Sequence, residues 1–302
     1  MSRSVDGRAR NADGDPRPNQ VIGDWQLTPI ELGSGSFGDV RVAVNVKTGA
    51  RAAVKTPRRT PVNGVALMRR EVRIHQPLRH RSIVEMLEAV PTPDGRQIIF
   101  MELCEGETVR QRVTRLGAVP RRDAQRLYRH LAAGLRYLHD VHQVAHGDLK
   151  LSNLLVTDSG RRLKICDFGL AERCVNQSGH VTVHAKYHGC RHFVAPEVLA
   201  RHLHECRAAD VWSATVCLML MLTGRQRLWD EPSLTDEEYE TWRARLGTGH
   251  ERDLVDRCLV VNPANRLSAA EILEQPFLRP PTPPPRRTSN LSDPAPSSVR
   301  RR

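Results

Sequence analysis

Two short segments of the chain carry the side chains best suited to chemistry. The first segment contains an acid, Asp148, a base, Lys150, and an amide, Asn153, within six residues, and the second is Asp167-Phe168-Gly169. Asp148 can accept the proton of a hydroxyl group, while Lys150 can neutralise charge on a phosphoryl group. Asn153 and Asp167 offer the hard oxygen ligands that Mg²⁺ prefers. The pattern indicates transfer of a phosphoryl group to a hydroxyl.

A glycine-rich stretch at residues 33–40 fits the pattern G-x-G-x-x-G-x-V. Loops of dinucleotide-binding enzymes have similar glycines but open a helix, whereas here valines alternate with other residues over positions 40–46, which predicts a β-hairpin. Backbone N–H groups of such a hairpin can approach phosphate oxygens closely because glycine has no side chain. The residues predicted to contact a nucleotide here are Gly33, Ser34, Gly35, Ser36, Phe37, Gly38 and Val40.

Lys55 and Glu71 are predicted to add an ion pair to this site. Lys55 follows the turn at Thr48-Gly49, and Glu71 falls in a helix predicted after Asn63. An isolated ammonium in a cleft would lose its fixed position or its proton, so we expect the Glu71 carboxylate to hold Lys55 against the phosphates. Taken singly, each residue could equally be a surface charge. The order of all these motifs along the chain favours the functional interpretation.

The elements that position these residues change type along the chain. The apolar run Ile98 to Met101 predicts a buried strand, so the first part is mostly β. From Arg121 onward leucines recur every three or four residues, which predicts an amphipathic helix ending near Asp140. A mainly helical second part follows. The leucines are Leu127, Leu131, Leu135 and Leu138.

Together these motifs resemble the eukaryotic protein kinase family over residues 25–278. Ala195-Pro196-Glu197 is similar to the end of that family's activation segment and Asp210-Val211-Trp212-Ser213 to its central helix, and by the same resemblance Arg266 would pair with Glu197. The resemblance implies an α+β, bilobal fold, with a β-rich N-lobe of about residues 25–102 and a mainly helical C-lobe of about 105–278. It also implies ATP and Mg²⁺ in the cleft between the lobes.

A lysine two residues after the catalytic aspartate, here Lys150 after Asp148, resembles the pattern of serine/threonine kinases rather than that of tyrosine kinases. This resemblance implies protein substrates with Ser or Thr acceptors. The stretches at residues 228–233 and 238–242 look most like the cell-cycle checkpoint kinase 1 branch. That comparison implies a gatekeeper at Met101 and an arginine preference upstream of the acceptor, because Glu107 would face ribose or a substrate guanidinium. The further residues expected to contact ATP are Ala53, Glu102, Cys104 and Leu155.

Two departures from the family pattern affect the expected mechanism. The residue before Asp148 is Gly147, where the family usually has an arginine that binds a phosphate on the activation segment. We therefore expect activity that does not require a phosphorylated loop, with Ser178 and Thr182 as remaining candidate sites. Cys190 stands where the family usually has a threonine bridging the catalytic acid and lysine, and a thiol is a weaker donor. The alternative interpretation is a pseudokinase scaffold that binds partners without turnover.

The segment after Asp167 is rich in histidine and cysteine, which raises the question of a zinc site. The spacing contains no tight pair such as C-x-x-C, so a loop that titrates near pH 6.5 is favoured over a metal centre. The residues concerned are Cys174, His180, His184, His188, Cys190, His192, His202, His204 and Cys206.

Composition narrows the class of protein further. Hydrophobic residues make up 39% and charged residues 26% of the 302 positions, which is ordinary for a globular chain. The net charge of +12 could attract nucleic acid, but the arginines are spread over the whole sequence, so nucleic-acid binding is not expected to be the main function. The seven cysteines lack paired spacing and are expected to be reduced.

No membrane segment or secretory signal is predicted, since residues 1–20 lack an apolar run and Val211 to Leu222 is too short to span a bilayer. An intracellular protein of the cytoplasm or nucleus is expected. The composition of residues 1–22 and 279–302 predicts disordered tails on either side of a domain at residues 23–278. The proline-rich run at 279–287 is either a linker or a polyproline ligand for an SH3 or WW domain.

Overall fold

The computed structural model describes residues 18–35, 38–57, 64–176, 178–184 and 189–279. The predicted polyproline ligand lies almost wholly outside the described residues. The first part of the chain forms an antiparallel sheet with the strand order β1-β2-β3-β4-β6-β5, and helix α1 (Gly64–His75) contacts β6. The strands are β1 (Val21–Ile22), β2 (Trp25–Gly35), β3 (Gly38–Asn45), β4 (Arg51–Pro57), β5 (Met86–Pro91) and β6 (Gln97–Glu102).

The predicted β elements of this lobe are confirmed. The valine series forms β3, where Val42 is buried, whereas Val46 lies beyond the strand and is exposed. The apolar run predicted as a buried strand is β6, and its residues Ile98, Ile99 and Phe100 are almost completely buried. The helix predicted to carry Glu71 is α1, and Glu71 is on its buried side.

The rest of the described chain is mainly helical and contains seven α-helices and several short strands. The strands form three small sheets, with the orders β10-β9-β7, β11-β8 and β12-β13. The helices are α2 (Val109–Leu116), α3 (Arg121–Arg136), α4 (Pro196–Leu199), α5 (Cys206–Thr223), α6 (Glu237–Arg245), α7 (His250–Cys258) and α8 (Ala269–Glu274). The strands are β7 (Glu107–Thr108), β8 (Val144–Ala145), β9 (Leu154–Thr157), β10 (Arg162–Ile165), β11 (Glu172–Arg173), β12 (Val183–His184) and β13 (His204–Glu205).

Two helices form the centre of this lobe. The leucine repeat forms the buried face of α3, and the predicted helix continues through a π-helical turn at Tyr137–Val141. Helix α5 is mostly apolar from Val211 onward, and the residues from Val211 to Met221 are all buried within the protein. It is long and apolar enough to cross a membrane by length and composition, yet 72% of the span is buried within the fold. This helix contains the predicted Val211 to Leu222 stretch and is the core helix that was expected.

Candidate active site in the cleft

Lys55 joins three elements of the fold at one point. It lies on β4 opposite Val40, and its Nζ is 2.7 Å from Glu71 Oε1 on α1 and 3.0 Å from Asp167 Oδ1. Burial alone would lower the pKa of Lys55, but the two carboxylates outweigh it and raise the pKa above its ordinary value. The ammonium is therefore charged and fixed. The pair predicted from sequence, Lys55 with Glu71, is in contact.

The glycine-rich hairpin joins β2 to β3. Gly33 lies opposite Val40 and Gly35 opposite Gly38, while Ser36 and Phe37 at the tip lie outside the described residues. A Cβ at Gly38 would lie 2.2 Å from the carbonyl oxygen of Thr56, so no other residue fits there without moving the backbone. A Cβ at Gly33 would meet nothing within 4 Å. Glycine is thus required by the fold at position 38 and leaves open space at position 33.

The residues expected at the adenine end of the cleft are brought together. Ala53 and Met101 face each other across β4 and β6, and Met101, Cys104 and Leu155 belong to one apolar cluster. Within the part of the chain that the structure describes, the backbone of Cys104 makes no hydrogen bond, which leaves its polar groups open to a base. Burial, followed by the charge of Glu102, raises the pKa of the Cys104 thiol to about 12, so it stays protonated.

Asp148 is held by two neighbours through the same oxygen. Lys150 Nζ is 2.6 Å from Asp148 Oδ2, and the Asn153 amide donates to Oδ2 at 3.2 Å and to the Asp148 carbonyl at 2.8 Å. Among the described residues, nothing donates to Asp148 Oδ1. The carboxylate is therefore oriented through one oxygen and has the other available to accept a proton from a hydroxyl.

The buried Asp210 anchors this loop, a role that sequence reasoning missed. Its Oδ2 accepts hydrogen bonds from the backbone N–H of His146 at 2.7 Å and from His139 Nε2 at 2.9 Å, and its Oδ1 accepts from Gly147 N–H at 2.9 Å. Burial would raise the pKa of Asp210, but the hydrogen bond and charge of His139 lower it. Gly147 has φ +75°, a left-handed conformation that glycine adopts without strain.

Asn153 and Asp167 fit a magnesium ion through the atoms that they leave unused. Asn153 donates through its nitrogen and Asp167 holds Lys55 through Oδ1, so Asn153 Oδ1 and Asp167 Oδ2 have no partner among the described residues. Burial alone would raise the pKa of Asp167, but the charge and hydrogen bond of Lys55 outweigh burial and lower the pKa below its ordinary value. The carboxylate is therefore anionic. An amide oxygen and a carboxylate oxygen are suitable ligands for Mg²⁺.

A column of three rings, in tilted and edge-to-face contact, fixes Phe168, and sequence reasoning missed it as well. Phe168 is fully buried, with its ring centroid 5.1 Å from that of His146 and 4.5 Å from that of His75. His75 Nε2–H donates to the carbonyl of Val84 at 2.6 Å. Because His75 lies on α1 directly after the turn that carries Glu71, the column couples this helix to the Asp167-Phe168-Gly169 segment.

A second ion pair links α1 to the activation segment. Arg70 lies next to Glu71 in sequence, and its NH1 is 3.0 Å from Glu172 Oε1 on β11. Glu172 is buried and lies opposite Ala145 of β8, immediately before the catalytic loop. Nothing in the sequence marks this pair beyond two opposite charges 102 residues apart, because each could have been a surface residue.

Glu197 and Arg266 form the pair that the family resemblance implied, and the structure buries it. Arg266 donates to both Glu197 oxygens, at 2.6 and 2.7 Å, and also to the carbonyls of Ala208, Val260 and Val261. Both side chains are almost completely buried. The pair ties the end of the activation segment to the 3₁₀ turn at Pro263–Asn265.

Two further residues named from sequence are placed with other neighbours. The half-buried Cys190 packs against the core of the helical lobe, and its thiol makes no hydrogen bond to any described residue, so it does not bridge Asp148 and Lys150. Glu107 accepts hydrogen bonds from two arginines of its own chain, Arg112 at 2.8 Å and Arg115 at 2.6 Å. The Arg115 hydrogen bond is the largest factor that lowers the pKa of Glu107.

The histidines and cysteines after Asp167 are dispersed in the described structure. No group of three or more possible metal ligands occurs among the described residues, and His188 lies outside them. Cys174 and Cys206 are buried together beside Ala145, and burial raises the pKa of both thiols, that of Cys206 to about 12. All seven cysteines are free thiols.

The sheet lobe, the helical lobe and the charged residues between them define a protein kinase. The family model described as "Protein kinase domain" matches residues 28–278, and the chain belongs to that family. Among its relatives is the mouse testis-specific serine/threonine-protein kinase 2, 32% identical over 268 residues, which are 85% of this chain and 74% of the relative. The rice (Oryza sativa subsp. japonica) serine/threonine-protein kinase SAPK9 is 33% identical over 270 residues, covering 84% and 72%.

A third relative, the carbon catabolite-derepressing protein kinase of Candida tropicalis, is 32% identical over 275 residues, covering 88% of this chain and 43% of the relative. The site and these relatives identify an ATP-dependent serine/threonine protein kinase. Members of the family use Mg²⁺, which neutralises charge on the ATP phosphates. In this arrangement Asp148 would accept the hydroxyl proton, and Lys150 lies beside it, where its charge would balance developing negative charge. Lys55 would bind the phosphates of ATP.

Proposed function

We propose that this serine/threonine kinase holds its active arrangement without a phosphate on the segment between Asp167 and Glu197. The observation that supports this most directly is the ion pair of Arg70 with Glu172. In this pair, the carboxylate of Glu172 neutralises the guanidinium of Arg70, which α1 extends toward the activation segment.

Gly147 supports the same conclusion from the catalytic loop. Phosphorylation orders a loop by giving arginines a doubly charged partner. Position 147 has no side chain that could bind a phosphate, and its backbone N–H is already held by Asp210. Because Arg70 is paired with Glu172, this cation is balanced before any modification occurs. The active positions of α1 and β11 therefore depend on a permanent charge.

The test compares the enzyme before and after removal of all phosphate. We expect the phosphatase-treated 302-residue protein to transfer γ-phosphate to a generic protein substrate at its original rate. Glu172→Gln should reduce the rate about tenfold or more, because it breaks the ion pair that the buried Glu172 makes with the partly exposed Arg70. Glu237→Gln, on α6, is a control for loss of one carboxylate. A phosphatase-treated enzyme that is inactive and recovers on rephosphorylation would refute the proposal.

The same assay separates the kinase from a scaffold that uses the kinase fold. Asp148→Asn keeps the size of the side chain but removes the proton acceptor, so it should lower the rate about a hundredfold or more. Binding of a fluorescent ATP analogue, measured in parallel, should be unchanged because Asp148 lies beside the acceptor hydroxyl. Equal rates of phosphoryl transfer by the two proteins would support a scaffold.

We further propose a preference for arginine upstream of the acceptor residue. Glu107 already binds guanidinium groups, and one of its partners, Arg115, has a side chain that is 58% exposed. A substrate arginine could replace Arg115 without disturbing the more buried pair with Arg112. A peptide array should show an arginine preference that Glu107→Gln removes. Equal labelling of peptides with and without upstream arginine would contradict this proposal while leaving the kinase activity intact.

The cellular role is proposed on sequence resemblance alone. Residues 228–233 resemble the checkpoint kinase 1 branch, which supports a role in cell-cycle or stress signalling in the cytoplasm or nucleus. Kinase activity recovered from cells before and after a replication block would test it, and an unchanged activity would count against it. The run at 279–287 remains a proposed SH3 or WW ligand, to be tested on an array of such domains.

A further inference from the structure

A groove with a volume of about 1140 Å³ lies on the outer face of α3, among residues that the chemistry does not use. Its floor is one face of α3, including Arg122, Arg126, Arg129 and Ala133, which recur at helical spacing. The loop after α1 contributes one side of the groove, and the region after α8 contributes the other. We call this surface the basic groove. Six arginines of the described chain line it: Arg81, Arg122, Arg126, Arg129, Arg136 and Arg279.

The charge of the basic groove is only partly balanced by its surroundings. No aspartate or glutamate is among the described residues that line it. Arg126 pairs with Asp123 at 2.6 Å and Arg136 with Asp140 at 3.8 Å, but no described carboxylate pairs with Arg81, Arg122 or Arg129. Such an uncompensated cluster of cations attracts anions and depends on salt.

His130, which also lines the groove, responds to this cluster. Burial, and then the charges of Arg81, Arg162, Arg126 and Arg129 in that order, lower its pKa. Protonating His130 would add one more cation among the arginines, which is unfavourable. The imidazole is therefore neutral at physiological pH, and the arginines supply the positive charge of the groove.

The groove is also partly apolar. Ala133, Tyr137 and Val141 from the α3 side and Leu273 and Leu278 from the α8 side lie among the arginines. A volume of about 1140 Å³ exceeds the usual range for a small metabolite, roughly 300–1,000 Å³. The occupant that matches cations together with apolar contacts over this space is a segment of chain that carries both carboxylates and apolar side chains.

We propose that the basic groove docks an acidic segment of a partner protein, with aspartate or glutamate side chains on the arginines and an apolar side chain between α3 and α8. Charge complementarity argues against the chain's own residues 280–302 as the occupant, because they contain five arginines and one aspartate. Nucleic acid fits less well, since single strands stack on free aromatic rings. Tyr137, the groove's one tyrosine, is already stacked on His80 at 4.9 Å and bonded through its hydroxyl.

The test measures binding of the 302-residue protein to a fluorescent 14-residue peptide of alternating glutamate and leucine. The double variant Arg122→Glu/Arg129→Glu should weaken binding by about tenfold or more, since two attractive charges become repulsive. Arg110→Glu/Arg201→Glu makes the same change in net charge outside the groove and should leave binding unaltered. Raising the salt from 50 to 300 mM should weaken binding, and a peptide with glutamine for glutamate should not bind.

Three results would overturn the proposal. Equal losses in the groove variant and the control variant would mean attraction to net charge alone. Tighter binding of a mixed-sequence single-stranded RNA, lost in the groove variant, would make the groove a nucleic-acid site. Peptide binding that appears only after deletion of residues 280–302 would make those residues the occupant. Phosphoryl transfer to a generic substrate is measured for each variant to show that the variant is folded. If the Arg122→Glu/Arg129→Glu protein is not folded, Arg122→Gln/Arg129→Gln is used in its place.

Discussion

The imidazole of His75 lies 4.5 Å from the ring of Phe168, so a titratable group supports the buried residue of the Asp167-Phe168-Gly169 segment. His75 is 1% exposed, and burial lowers its pKa to about 4. Near neutral pH the ring is neutral and donates to the Val84 carbonyl through Nε2–H. A column that contains a buried neutral histidine is stable only while that histidine stays unprotonated.

His75 should therefore make the protein less stable in mild acid. Its pKa is about 4 when folded and near 6.5 when unfolded, so its contribution is complete above pH 6.5 and falls as the pH drops toward 4. Between pH 7.5 and 5 we expect a loss of about 2 kcal/mol from this group. Urea unfolding at both pH values should show a smaller loss for His75→Leu than for wild type. The exposed His250→Gln should behave like wild type, and an unchanged loss in His75→Leu would contradict the prediction.

The Glu197–Arg266 pair should contribute strongly to stability because removal of either partner leaves a buried charge. Arg266→Ala is expected to lower the free energy of unfolding by about 3–5 kcal/mol. The double variant Glu197→Leu/Arg266→Met should recover part of this loss, since it removes both charges, but three backbone carbonyls would still lack their donor. Denaturant unfolding of the three proteins checks this, and a double variant less stable than Arg266→Ala would contradict it.

Glycine substitutions in the hairpin should separate folding from nucleotide binding. Gly38→Ala places a methyl group 2.2 Å from the Thr56 carbonyl oxygen and should destabilise the protein by about 1–3 kcal/mol. Gly33→Ala is the matched control, because its methyl group would meet nothing within 4 Å. It should leave the melting temperature unchanged but raise the KM for ATP if phosphates pass close to that backbone. Equal stability of the two variants would show that β3 can move away from β4.

The residues that a family motif marks could be predicted from sequence, and those that depend on tertiary proximity could not. Lys55 with Glu71 and Glu197 with Arg266 were predicted as pairs because their motifs fix both partners. Arg70 and Glu172 belong to no such motif. A charged residue on a helix is usually exposed, so nothing local indicates that the fold brings Arg70 and Glu172 together.

The basic groove shows the same limit on a larger scale. Its arginines are spread from position 81 to position 279, so the sequence presents them as scattered charge. The helical period of α3 aligns Arg122, Arg126 and Arg129 on one face. The other arginines of the groove join them only because neighbouring segments pack beside α3. The leucines of the same helix predicted its buried face correctly, because burial follows from local periodicity whereas charge clustering does not.

Cys190 offers a direct test of how tightly the catalytic acid is held. Its thiol makes no hydrogen bond to the described residues, so Cys190→Ala should leave kcat and KM nearly unchanged. Cys190→Thr adds a hydroxyl, a stronger donor than a thiol, directly after Gly189, where a Cβ would lie 3.6 Å from Asp148 Oδ1. Nothing described donates to that oxygen. A bond from this hydroxyl to Asp148 should raise kcat a few-fold, roughly the effect of one neutral hydrogen bond, with little change in KM.

The measurement is steady-state phosphoryl transfer to a generic protein substrate by the three proteins at pH 7.5. A tenfold loss in Cys190→Ala would mean that the thiol itself supports catalysis. A threonine variant with a lower kcat than wild type would mean that the hydroxyl competes for the oxygen that accepts the proton. The order expected from the geometry is therefore threonine above cysteine, with cysteine equal to alanine.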